Sequence, residues 1–192
     1  MGSFRGEAPG ISINLVIADS QEIVDRLLAG EIEMGVVGMR FEGERVDAYP
    51  LFHDRVIIIA SSQHPLAFKK EVSWEELRAA PLLIRERGSG TRKAFERYVA
   101  AAGYRLDDFS IIGEVGSSTA VKEGVKGGMG LGIISDLAVQ EEIEGGRVKE
   151  VRVRGQGTLE RDFFAVVPKG RDLSPPARRF LEFLTQRRPS SP

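Results

Sequence analysis

Short apolar, β-branched runs recur along this chain, and most lead straight into a helix start signal, an order that leaves few architectures open. Ile11, Ile13, Leu15 and Ile17 alternate over a predicted strand, which runs into Asp19-Ser20-Gln21-Glu22. There Asp19 can cap a helix, and Glu22, three residues on, can bond back. That helix carries Ile23, Leu27 and Leu28 on one face and stops at Gly30. Further strands are predicted at Met34–Val37, Val56–Ala60, Leu82–Ile84, Ser110–Val115, Gly130–Ile134, Val148–Val153 and Phe163–Val167. Helices are predicted over Arg92–Ala102, Thr119–Lys126 and Asp136–Glu144, the last with Ser135 as its cap. Ser73-Trp74-Glu75-Glu76 is a capping box before a short helix that ends ahead of Pro81. Ser174-Pro175-Pro176 opens a final helix to about Gln186, and a polar tail, 187–192, is expected to fray. This alternation predicts an α/β fold with largely parallel pairing and right-handed crossovers.

A length of 192 residues suits one compact domain or two small lobes, since single cores commonly hold ~100–200 residues. Polar, Gly-containing stretches at Ser61–Pro65 and Gly155–Arg161 follow strands and are the predicted lobe boundaries. The 27 basic and 28 acidic residues nearly cancel, so the basic excess that neutralises nucleic-acid phosphates is missing. The apolar runs, such as Val56–Ala60, are too short to span a bilayer, and no apolar stretch after Met1 reads as a signal peptide. With no cysteine there is no disulfide, thiolate metal site or cysteine nucleophile. The expected location is the cytoplasm.

The informative loops join a strand to a helix. In open α/β sheets, ligands collect beyond the carboxyl ends of strands, where helix N-termini offer free N–H groups. Those positions hold Ser20, Ser89-Gly90-Thr91 and Ser117-Ser118-Thr119. Such turns suit a carboxylate, a sulfur oxyanion or a phosphate. Serine and threonine at helix starts are ordinary N-caps, so each alone reads first as a cap. Gly88-Ser89-Gly90-Thr91 exceeds what a cap needs, because two glycines flank the serine.

Other motifs carry less. Gly127-Gly128-Met129-Gly130-Leu131-Gly132 follows a helix and enters a strand, the reverse of a dinucleotide fingerprint, and reads as a helix stop with tight packing. There is no GxxxxGK[ST] loop and no GxSxG nucleophile elbow. His53 and His64, the only histidines, lack metal-ligand spacing. His64 reads as a linker residue; His53 and Asp54 begin a strand and could face a cleft, but read first as a surface pair. The pairs Glu75-Glu76 and Glu141-Glu142 read as solvated helix faces. Arg85, Arg87 and Arg92 can attract an anionic ligand, although solvated arginines are the commoner outcome. No catalytic constellation, metal site or cofactor is expected.

At these residues the sequence resembles the effector-binding domain of LysR-type transcription regulators. The likeness lies in LLAGEIEMGVVG at Leu27–Gly38, HPLA at His64–Ala67 and PLLIRERGSGTR at Pro81–Arg92. It continues through VGSSTAVKEGVKGGMGLGIIS at Val115–Ser135 and LSPPARRFLEFL at Leu173–Leu184. The GSGTR form is similar to the branch containing regulators of sulfur assimilation and carbon fixation. The resemblance implies two Rossmann-like lobes of the type 2 periplasmic-binding-protein kind. Lobe I would be Phe4–Ala60 plus Asp162–Arg188, and lobe II Ser62–Arg161, with 189–192 as a tail. A small anionic effector would bind between them, altering the geometry of a homodimer. Matched motif by motif, Ser89, Gly90 and Thr91 fall where the family contacts its effector and Gly38 near a lining position; Ser20 and Ser117 transfer less directly.

Two departures accompany the likeness. The family's winged helix-turn-helix, its only route to DNA, is absent from this sequence. So are the first strand and most of the first helix of lobe I, which predicts an open apolar sheet edge or completion by another chain. A stand-alone solute-binding protein, or an enzyme on the same fold, is the alternative reading.

Overall fold

The computed structural model describes residues 2–41 and 45–186, so the tail expected to fray lies outside the described residues. In chain order the elements are α1 (Gly2–Glu7), α2 (Ser20–Ala29), β1 (Gly35–Val37), β2 (Val46–Ser61), α3 (Trp74–Ala79), β3 (Leu82–Arg85) and α4 (Gly90–Ala101). They continue with β4 (Ile111–Val115), α5 (Ser118–Lys126), β5 (Leu131–Ser135), α6 (Gln140–Glu144), β6 (Val148–Val151), β7 (Leu159–Pro168) and α7 (Pro175–Gln186). The chain divides into two compact units, Met1–His53 with Asp162–Pro192, and Asp54–Arg161. It passes between them inside β2 and again inside β7.

In the unit Asp54–Arg161, β3 pairs parallel with β4 and β5. β2 pairs antiparallel with β5, Val56 opposite Ser135, and antiparallel with β6. The expected pairing is therefore only partly parallel, because β2 enters the sheet from the other unit and runs against the strands it meets. Both faces of the sheet are covered, which is why the strands read as apolar runs. Leu82, Ile84, Leu131 and Ile133 pack with Leu77 and Phe95, whereas Leu83, Ile59 and Ile134 pack with Val121 and Val125. The glycine run serves this packing. Gly130 has φ +148°, and a Cβ there would lie 2.3 Å from the Pro81 carbonyl oxygen. A Cβ on Gly132 would lie 2.6 Å from Val121.

The other helix signals hold with three corrections. Asp19 caps α2 through Gln21 and Glu22 N–H, and Gly30 ends it at φ 79°, but the Glu22 carboxylate turns to Arg26 rather than back to the cap. Arg26 lies one turn on and offers a charged partner, which outbids a second backbone bond. Ser135 makes no cap bond, and the helix expected over Asp136–Glu144 splits into a 3-10 turn, Asp136–Ala138, and α6. Glu142 is not solvated but buried, with Lys122 Nζ at 3.0 Å.

In the first unit, α2 places Ile23, Val24 and Leu27 against Val37 and Val166. Phe4 of α1 packs between Phe180 and Phe183 of α7, at 4.8 and 5.1 Å between ring centroids. β1 pairs antiparallel with β7, Gly35 opposite Val166. The strand expected at Ile11–Ile17 does not form: Leu15 and Ile17 are 61% and 86% exposed. Its alternation needs a neighbouring strand, and a cavity of about 560 Å³ lies between it and Met34–Val36, walled also by Ile23 and Phe180. β1 stands at one end of the sheet's strand order, next to β7.

Candidate functional site

The chain leaves β3 at Arg85, turns through an N–H bond from Ser89 to the Glu86 carbonyl at 3.0 Å, and enters α4 at Gly90. Ser89 sits at the N-cap with φ −75° and ψ 130°, yet its hydroxyl makes no cap bond. Ser89 and Thr91 are 3% and 1% exposed, and Gly90 is also buried. The first-turn N–H groups of a helix lack intrahelical partners and carry the positive end of its dipole. This turn therefore sets two buried hydroxyl residues beside α4's free donors.

Behind it lies a polar network absent from the sequence-based site. Thr91 Oγ1 accepts from Arg161 Nη1 at 2.9 Å, and Arg161 Nε donates to Asp54 Oδ2 at 2.7 Å. The other Asp54 oxygen accepts from Ser135 Oγ at 2.7 Å, which is what occupies the hydroxyl expected to cap a helix. Burial lowers the Arg161 pKa from its ordinary value; Asp54 opposes that shift and nearby Arg85 adds to it. His53 and Asp54 are not a surface pair: they lie within β2, where His53 stays exposed and pairs with Asp162 while Asp54 is buried. One signal could have exposed Asp54. It lies two residues before Val56, on the same face of the strand as the apolar run.

Of the neighbouring arginines, Arg87 is exposed, whereas Arg92 and Arg85 are paired. Arg92 Nη1 reaches Glu114 at 2.5 Å and Nε reaches Glu96 at 2.9 Å. Burial alone works against its charge, but Glu114 and Glu96 together hold its pKa above the ordinary value. Arg85 pairs with Glu86 and donates to Ser118 Oγ at 3.1 Å. Neither is a solvated side chain.

Ser117 is exposed and caps α5 through Ala120 N–H at 3.1 Å, the ordinary use of a serine there. Ser20 and Gly38 come together within the first unit, Gly38 N–H donating to Ser20 Oγ at 3.2 Å. His64 accepts Leu66 N–H and caps the 3-10 turn Pro65–Phe68. Among the described residues no group of three or more His, Asp or Glu could hold a metal ion, and no helix is long and apolar enough to cross a membrane.

An α/β chain of two units, with a buried polar turn at a helix N-terminus, has the architecture of a small-molecule-binding domain. Comparison with known proteins makes this specific. The LysR substrate binding domain family matches residues 1–189, and the chain belongs to that family. It is 33% identical over 184 residues to the RuBisCO operon transcriptional regulator of Acidithiobacillus ferrooxidans, covering 96% of this chain and 58% of that protein. It is 32% identical to the HTH-type transcriptional activator CmpR of Synechocystis, covering 96% of this chain and 59% of the activator. The chain thus spans under two thirds of the length of these regulators. The Synechocystis PCC6803 CcmR regulatory domain, solved in complex with 2-PG, matches with a TM-score of 0.84 and 26% identity, covering 97% of this chain and 88% of that one.

Proposed function

We propose that this chain is the effector-sensing domain of a LysR-type transcription regulator and that it takes a small anion at the N-terminus of α4. The observation that carries this reading is Ser89, a buried N-cap serine whose hydroxyl does no capping. Beside it, Gly90 lets a ligand approach the backbone, and the unpaired N–H groups of the first turn favour negative charge. A carboxylate, sulfur oxyanion or phosphate has the acceptors for these donors. Similarity to named transcription regulators favours this reading over a stand-alone solute-binding protein or an enzyme.

In this reading the domain performs no covalent chemistry and works in the cytoplasm as a homodimer. It reaches DNA through a helix-turn-helix domain elsewhere in the regulator. The ligand acts by binding two states of the domain unequally, so that occupancy shifts their populations. The test is calorimetric titration with inorganic sulfate, inorganic phosphate and 2-PG, with Ser89→Ala as the control. Losing one hydrogen bond to a charged ligand should weaken binding about tenfold or more. Unchanged binding by Ser89→Ala would remove the site from this turn.

A further inference from the structure

The buried hydroxyl of Thr91 accepts from Arg161 Nη1 at 2.9 Å. A guanidinium only donates, so this bond occupies a lone pair of Thr91 Oγ1 and leaves the hydroxyl proton for another acceptor. Arg161 is itself fixed, its Nε donating to Asp54 at 2.7 Å, while Asp54 is braced by Ser135 at 2.7 Å. The four residues come from α4, β7, β2 and β5, and their side chains form one connected series of bonds. In a low-dielectric interior such bonds polarise one another, and a hydroxyl that accepts from a cation becomes the better donor.

We propose that Arg161 is a positioning residue of the anion site: it holds the Thr91 hydroxyl with its proton available to the ligand and does not itself touch the ligand. This rests on the reading that an anion binds at the start of α4. Asp54 and Arg161 are the first and last residues of their unit.

The experiment is a double-mutant cycle on the purified chain, titrated calorimetrically with inorganic phosphate, inorganic sulfate and 2-PG. Thr91→Val and Arg161→Gln should each weaken binding about tenfold, and the double variant should be no weaker than Thr91→Val alone. Thr91→Ser, which restores a hydroxyl, should regain most of what Thr91→Val loses and regain sensitivity to Arg161→Gln. A merely structural Arg161 would not show this dependence on the hydroxyl. Because Arg161→Gln strands a buried carboxylate, thermal unfolding is followed for each variant. The pair Asp54→Asn/Arg161→Gln carries the same comparison if Arg161→Gln alone fails to fold. Losses that multiply, or an Arg161→Gln that binds like the parent, overturn the role of Arg161 and leave the anion site standing. If the parent chain binds none of the three anions, the site itself falls and this role with it.

Discussion

Arg161 and Asp54 meet at 2.7 Å with side chains only 8% and 0% exposed, so two opposite charges face each other out of water. Removing one partner leaves an uncompensated charge out of water. We expect Asp54→Ala to cost about 3–5 kcal/mol of unfolding free energy, measured by urea denaturation. Replacing both, as Asp54→Leu/Arg161→Met, should recover most of that loss, because no buried charge then remains. A double variant no more stable than Asp54→Ala would show that the pair contributes through something other than its charges.

Tyr98 gives a pH signature at the alkaline end. Burial pushes its phenol up to about 12, on α4 where the ring packs near Trp74 and Phe95. A folded pKa raised above the unfolded value of about 10 stabilises the fold fully below pH ~10. That contribution is lost as pH rises through the folded value of about 12. Stability should therefore fall across that window, and Tyr98→Phe should flatten this part of the profile. Identical alkaline profiles for parent and variant would contradict the assignment.

Much of the fold was legible because local chemistry and tertiary need agree. Ser73 with Glu76, Asp19 with Gly30, and the β3 and β5 runs all behave as their residue types dictate. The glycines before β5 were readable as packing because their order relative to strand and helix was wrong for a nucleotide. Ile11–Ile17 shows the limit: its alternation is real, but a strand exists only with a neighbour to bond, and sequence periodicity carries no information about that neighbour. In the candidate site, the GSGT turn stood out in the sequence because its glycines exceed what a cap requires. Asp54 and Arg161 were not, since they lie far apart in sequence and only the fold brings them within 2.7 Å. Arg161 also sat in a stretch that read as a polar linker.

The end of the sheet at β1 predicts association. Ile17 is 86% exposed and lines one cavity with Val36 of β1, the strand at the end of the sheet, so the first unit presents apolar side chains at a sheet end. By sedimentation velocity, the parent should form species larger than a dimer as concentration rises, whereas Ile17→Lys should stop at the dimer. The substitution is exposed and should change unfolding free energy by less than about 0.5 kcal/mol. Equal association by both proteins would show that the edge is not the contact.

Anion binding at the buried turn opening α4 is read out by amide NMR during titration with inorganic phosphate and 2-PG. The largest shift changes should fall on the N–H groups of Ser89, Gly90, Thr91 and Arg92, saturating with ligand. Saturable shifts elsewhere, with these four amides unmoved, would contradict it.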